Sequence, residues 1–112
     1  MRRELLDLAF IGNGARVVAV SDQHYSRASN ILLPGRGLNM GDGWETKRSR
    51  VPNHKDWAII RLGDRGYLYN AEIDTCHFKG NFPESVTLES CLYDGVSETT
   101  FQQERDYVRC FF

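Results

Sequence analysis

Short apolar runs separated by glycine and proline turns are the feature that most constrains the fold of this chain. Four runs are rich in β-branched residues or alternate apolar with polar residues, and they lie at residues 16–21, 56–62, 66–74 and 85–91. A period of two residues is typical of strands, and turn residues such as the GDRG sequence at residues 63–66 let the chain reverse between them. Helical periodicity is weak throughout. The sequence therefore predicts an all-β fold of short antiparallel strands, arranged as a β-sandwich.

Length and charge limit the domain count and the partners. The chain has 112 residues, which suits a single core of modest size. Its 14 Lys and Arg against 15 Asp and Glu give a formal net charge of −1. Without a global positive field, the chain is expected to bind neither nucleic acid nor an anionic membrane.

Cysteine use indicates the compartment. Cys76, Cys91 and Cys110 are widely spaced and form no CxxC pair, which argues against a zinc site and against a disulfide framework. The first residues carry too short an apolar run for a signal peptide. We therefore expect a cytoplasmic protein.

Polar chemistry is concentrated in two clusters. Residues 41–57, GDGWETKRSRVPNHKDW, combine acids, bases, a histidine and two tryptophans, and residues 74–81, DTCHFKGN, form a second cluster. Packing alone does not require such a mixture, so these clusters are candidates for a functional site. If the intervening chain folds back as a hairpin, the two clusters come together.

Several kinds of site are compatible with these residues. The glycine pairs at residues 12–14 and 35–37 complete no phosphate-binding motif and are interpreted as turns. Ser21 has Asp22 and His24 nearby but no nucleophile elbow. Three pairs of residues could bind a divalent metal or, more commonly, cap turns: Asp22 and His24, His54 and Asp56, and Asp74 and His77.

General acid and base chemistry on a small polar substrate is the remaining interpretation. The titratable candidates are Asp42, Glu45, His54, Asp74 and His77. Arg48 or Arg50 can hold an anion, because a guanidinium binds a carboxylate in a bidentate manner. The simpler alternatives are a cross-strand ion pair between Glu45 and Arg48, and a packing role in the core for Trp44.

Six segments, taken in order, resemble the allantoicase family. They cover about three quarters of the chain, at residues 7–26, 30–37, 40–50, 54–63, 73–83 and 86–91. The resemblance implies two tandem repeats, each a jelly-roll β-sandwich of the galactose-binding-like type, in a protein that forms homo-oligomers. The sequences SDQHYS, LLPGRG and WETKRSR are similar to the second repeat.

The resemblance also implies an activity, the hydrolysis of allantoate to ureidoglycolate and urea in purine catabolism. The substrate carries one carboxylate and two ureido groups, so we expect Arg48 or Arg50 to bind the carboxylate. Water activation and protonation of the leaving group are assigned to Asp42, Glu45, His54 and His77. Trp44 and Asn81 are expected to shape the ureido pocket. No cofactor is evident, and a divalent metal stays an open alternative.

The chain departs from the family pattern in two respects. No first repeat precedes the matching residues, and residues 92–112 contain no recognisable version of the closing strands. We therefore expect residues 1–91 to form an allantoicase repeat and residues 92–112 to form a divergent tail, which leaves the sandwich incomplete at its C-terminus. The alternative function is that of a catalytically inactive fragment that binds a ligand or a subunit.

Overall fold

The structure is a computed structural model that describes residues 5–78, 82–90 and 107–111. Its four strands are β1 (Arg16–Val20), β2 (Trp57–Arg61), β3 (Thr87–Ser90) and β4 (Tyr107–Phe111). They form one sheet in the order β1-β2-β4-β3, and every neighbouring pair is antiparallel. A bulge interrupts the pairing of β1 with β2 between Val17 and Ala19. The prediction of an all-β antiparallel fold is confirmed.

Helical structure is confined to short 3₁₀ segments of three to five residues in the part of the chain that the structure describes. Three 3₁₀ helices lie in the connections, at Ile11–Asn13, Ala28–Leu32 and Met40–Asp42. None of the helices in these ranges is long and apolar enough to cross a membrane.

The core is built around β2. Ala58, Ile59 and Ile60 are each less than 5% exposed, as expected for a strand that has neighbours on both edges. Ile60 packs with Ala15 and Leu32, whereas Ile59 belongs to a separate cluster with partly buried residues of β1 and with Trp57. Full burial of one isoleucine is worth about 1.5–3 kcal/mol, so both faces of β2 contribute to stability.

The loop after β2 lies close to the segment that precedes β1, and this contact fixes the C-terminal end of β2. The amide of Gly63 donates to the carbonyl of Leu8 at 3.0 Å, and Gly14 has a left-handed φ of 98°. A Cβ atom at position 63 would lie 2.0 Å from the carbonyl oxygen of Asn13, so only glycine fits there. The residues that precede β1 are therefore held against the end of β2.

Two sequence-based interpretations of secondary structure differ from the structure. Residues 66–74 form no strand, and their alternating side chains face solvent, with Tyr67 87% and Tyr69 66% exposed. Alternation predicts a strand only where one of its faces becomes buried, and here neither does. Conversely, residues 107–111, for which the sequence pattern predicts no strand, form β4 between β2 and β3. The domain boundary at residue 91 stays a prediction.

Candidate active site

The loops of the first polar cluster meet the segment after β1 at the point where β1 ends and β2 begins. Because these strands are antiparallel, Ser21 after β1 lies beside Trp57 at the start of β2. The amide of Ser21 donates to the carbonyl of Trp57 at 2.9 Å, and the amide of Trp57 donates to Ser21 Oγ at 2.9 Å. These two bonds join the first polar loop to the segment that carries His54.

The loop after β1 holds the segment around Trp44 through backbone and side-chain bonds. Trp44 Nε1 donates to the carbonyl of Asp22 at 2.7 Å, and the amide of Lys47 donates to Asp22 Oδ2. The amides of Tyr25 and Ser26 donate to the carbonyl of Glu45 at 3.1 and 3.3 Å. The backbone of Glu45 is thereby fixed in an isolated bridge with Ser26. The Trp44 ring is partly buried and its indole nitrogen has a hydrogen-bond partner, an arrangement compatible with packing and with a place in the site.

Asn30 and Asp42 shape the glycine-rich loop before Trp44. The side-chain amide of Asn30 donates to the carbonyls of Gly41 and Gly43, at 3.1 and 2.9 Å. The Oδ2 atom of Asp42 accepts the amides of Leu38 and Asn39, at 2.8 and 3.3 Å. Asp42 therefore closes its own loop, which is the usual behaviour of an aspartate in a turn.

The second polar cluster reaches the first through a loop contact. His77 Nε2 lies 2.7 Å from the carbonyl oxygen of Gly37, and Arg36 Nε lies 3.6 Å from Asp74 Oδ2. Residues 36–39 also contact Asp42, so this loop connects His77 to the neighbourhood of Asp42. The two clusters are connected, but not by the hairpin that the sequence suggested. The chain between them contains β2 and no second strand that pairs with β2.

His54 lies after a tight turn and contacts a carboxylate. Its amide donates to the carbonyl of Val51 at 3.2 Å, and Asn53 has a φ of 62°, so Pro52 and Asn53 occupy the central positions of a type II turn. The ring atom His54 Nε2 lies 3.2 Å from Asp56 Oδ1. Asp56 Oδ1 also accepts the hydroxyl of Ser21 at 3.0 Å.

The basic residues of the first cluster face solvent. Arg48 and Arg50 are exposed, whereas Glu45 is half-buried. Within the described residues, Glu45 and Arg48 form no ion pair, so the simpler interpretation of these two residues is wrong. No ion pair with another described residue neutralises the charge of Glu45 or Arg48. Asn81 lies outside the described residues.

The metal-binding interpretation has a limited donor set. Asp74 Oδ1 accepts the amide of Cys76 at 2.8 Å, so this aspartate caps a turn instead of approaching His77. Only His54 and Asp56 come into contact among the three predicted pairs. No group of three His, Cys, Asp or Glu side chains suited to a metal ion occurs among the residues that the structure describes.

Three residues contribute hydrogen bonds to the site that the sequence did not predict: Ser21, Asp22 and Asn30. The sequence pattern groups Ser21 and Asp22 with His24, whereas their contacts are with Asp56 and with the segment 44–47. No sequence motif points to Asn30. For Ser21 and Asp22 the available signal is position, because polar residues directly after one strand and directly before its antiparallel neighbour share an end of the sheet. Asn30 lies in the helix Ala28–Leu32 and has no such signal.

A separate open cleft of about 330 Å³ follows β1. Its lining consists of Val17, Val18, Ala19, Val20, Gln23, Arg27 and Ser29. None of the predicted site residues lines it. The candidate site is thus a surface formed by loops and not this cleft.

The fold and the site define a class: an all-β protein that carries polar groups on loops at one end of an antiparallel sheet. Residues 6–109 match the family model described as the allantoicase repeat. The chain belongs to the allantoicase family.

Individual relatives support this assignment. The chain is 51% identical over 94 residues to allantoicase from Saccharomyces cerevisiae, an overlap that covers 83% of this chain and 27% of the relative. It is 60% identical over 85 residues to a probable allantoicase from Schizosaccharomyces pombe, covering 76% of this chain and 25% of that protein. The chain spans about a quarter of the length of these curated relatives.

A solved structure agrees. The crystal structure of the Saccharomyces cerevisiae allantoicase matches with a TM-score of 0.73 and 39% identity, covering 96% of this chain and 39% of that one. This likeness confirms the predicted fold class.

Proposed function

We propose that this chain contributes its loop site to the hydrolysis of allantoate, giving ureidoglycolate and urea. The observation that carries the proposal is the family match over residues 6–109, which includes every loop of the candidate site. In the reaction, one C–N bond of allantoate breaks, the central carbon gains the hydroxyl of water, and the departing nitrogen gains a proton. A site for this reaction needs an anion-binding group, hydrogen bonds to ureido groups and acid-base assistance.

The described residues can supply these functions. Arg48 and Arg50 are exposed at the end of the segment that Asp22 anchors, and either can bind the substrate carboxylate. Glu45 has a fixed backbone and a half-buried side chain with no ion pair among the described residues, which suits a proton acceptor. His54, His77 and Asp42 are the other candidates for proton transfer, and Trp44 with Asn81 is assigned to the ureido pocket.

The direct test is urea release from allantoate by the purified chain. We expect the double variant Glu45→Ala/Arg48→Ala to lose turnover, whereas Glu84→Ala, an exposed glutamate outside the site loops, keeps it. We further propose that no resident cofactor is needed, so treatment with EDTA should leave urea release unchanged. Absence of urea above the level of the double variant would contradict the proposed activity.

A second candidate function is that of a module that binds a partner subunit. It is favoured by large apolar side chains that face solvent, among them Leu38 at 88% and Tyr67 at 87% exposed. The family resemblance supports association of like chains, the widely spaced cysteines support a cytoplasmic location, and both are part of this proposal. Light scattering of the purified chain distinguishes a monomer from an oligomer, and a stable oligomer without urea release would favour the second function.

A further inference from the structure

Asp56 is a carboxylate that the proposed reaction does not use directly but that has a specific relation to His54. Its side chain is only 13% exposed, whereas that of His54 is 41% exposed. A single oxygen, Oδ1, lies 3.2 Å from His54 Nε2 and 3.0 Å from Ser21 Oγ. The histidine is thus at the surface while its partner is mostly buried.

The directions of the hydrogen bonds follow from the donors. The amide of Trp57 donates to Ser21 Oγ at 2.9 Å, so the hydroxyl proton of Ser21 is left to point at Asp56. An ionised carboxylate only accepts hydrogen bonds, so His54 Nε2 must be the donor in the other contact. The hydrogen-bond network assigns this tautomer, in which Nδ1 of the neutral ring has a lone pair and no proton.

The sheet makes this arrangement rigid. Asp56 directly precedes β2 and Ser21 directly follows β1, and a backbone hydrogen bond of 2.9 Å joins Ser21 to Trp57. The carboxylate is therefore anchored to two paired strands, while the histidine two residues earlier emerges from the turn at residues 51–54. A fixed acceptor behind an exposed ring is the arrangement that orients a general base.

We propose that Asp56 is a positioning residue that holds His54 as the Nε2–H tautomer and presents Nδ1 to the substrate as a proton acceptor. This inference rests on the proposed hydrolysis of allantoate. It identifies Nδ1 as the ring atom of His54 that accepts the proton, and Nε2 as the atom that faces Asp56. Ser21 supports Asp56 by donating its hydroxyl proton to the same carboxylate oxygen. It is not a nucleophile, because its proton points at the carboxylate and not at the imidazole.

The tautomer can be measured without turnover. Imidazole ¹⁵N chemical shifts of the full labelled chain, recorded at a pH where the rings are neutral, distinguish protonated from unprotonated nitrogens. The chain has three histidines, so His54→Gln identifies the resonances of residue 54. We expect the Nε2–H form for His54 in the unmodified chain, and loss of this preference in Asp56→Asn, whose amide can donate to the ring instead.

A matched control lies at the other end of β2. Asp64→Asn makes the same chemical change at an exposed residue that bonds the amide of its neighbour Arg65, and it should leave the His54 shifts unchanged. Asp56→Glu retains a carboxylate and should restore the Nε2–H form. In the urea-release assay, Asp56→Asn should lower kcat about 10²-fold with little change in KM, because a misplaced catalytic group costs rate more than binding.

The outcomes separate this inference from the proposed function. An Nδ1–H ring for His54 in the unmodified chain would overturn the inference, and so would an unchanged tautomer in a folded Asp56→Asn variant. If the unmodified chain shows the Nε2–H form, Asp56→Asn loses it and no urea is released, the proposed function fails while the positioning of His54 by Asp56 stands. If Asp56→Asn does not fold, Asp56→Ala removes the acceptor instead, and an unchanged Nε2–H population in that variant would overturn the inference in the same way.

Discussion

Two histidine-bearing turns of this chain share a backbone geometry but differ in what holds the imidazole. In the turn at residues 51–54, the third residue is Asn53 with a φ of 62°, and His54 follows it. In the turn at residues 75–78, the third residue is His77 itself, with a φ of 73°. Both turns are closed by a backbone bond between the first and fourth residues, at 3.2 and 3.0 Å.

The difference lies in the acceptor that each ring contacts. His54 contacts the mostly buried carboxylate of Asp56, whereas His77 contacts the neutral carbonyl of Gly37. A carboxylate stabilises the imidazolium that forms when a histidine takes up a proton, and a carbonyl does so much less. The first turn therefore suits proton transfer better than the second, whose histidine also attaches one loop to another.

Alanine substitution of the two histidines should lower the enzymatic activity to very different extents. We expect His54→Ala to lower kcat for allantoate by about 10²–10⁴-fold, the usual contribution of a general acid or base. We expect His77→Ala to cost at most about tenfold, because it removes a hydrogen bond worth about 1 kcal/mol and tenfold in rate corresponds to 1.36 kcal/mol. The measurement is steady-state urea release.

The third histidine supplies the control for this pair. His24 is exposed and contacts the ring of Tyr25 edge-on, with ring centroids 4.6 Å apart, and His24→Ala should keep full activity. Equal losses in the His54 and His77 variants would refute the distinction between the two turns.

The sequence was sufficient to predict β1 and β2, because their β-branched runs are buried in the core around Ile59 and Ile60. It was misleading for residues 66–74, where tyrosines alternate with polar residues on an exposed segment. It gave no indication of β4, since that strand follows a long polar stretch and pairs with β2 across a large separation in the chain. Strand pairing over such distances depends on tertiary contacts that local patterns do not record.

In the candidate site, too, the contacts between residues far apart in the chain could not be predicted from local sequence patterns. The concentration of polar groups at residues 41–57 lies on loops that the structure joins through Asp22 and Asn30. The partner of each group could not be predicted, because the bond from Ser21 to Asp56 joins residues 35 positions apart. The roles of the individual residues therefore stay proposals that depend on measurement.

Substitutions at Asn53 test how much the left-handed conformation of the first turn contributes to the free energy of unfolding. A left-handed φ costs an ordinary residue about 1–2 kcal/mol, and a β-branched side chain is among the worst suited to it. We expect Asn53→Val to lower the free energy of unfolding by about 1–2 kcal/mol, and Asn53→Gly to change it by less than about 0.5 kcal/mol. Urea denaturation measures both, and equal stability of the two variants would show that the turn tolerates any residue.

The smallest effect is expected at His77, where two contributions oppose each other. His77→Gly removes the hydrogen bond to Gly37, worth about 1 kcal/mol, but also relieves a left-handed conformation that costs a similar amount. The free energy of unfolding should therefore change by less than about 0.5 kcal/mol. His77→Ala loses the same bond and keeps the unfavourable φ, so it should be about 1 kcal/mol less stable than His77→Gly in urea denaturation. If the two variants unfold at the same urea concentration, the backbone at residue 77 has left its left-handed conformation, and the two turns no longer share the geometry on which their comparison depends.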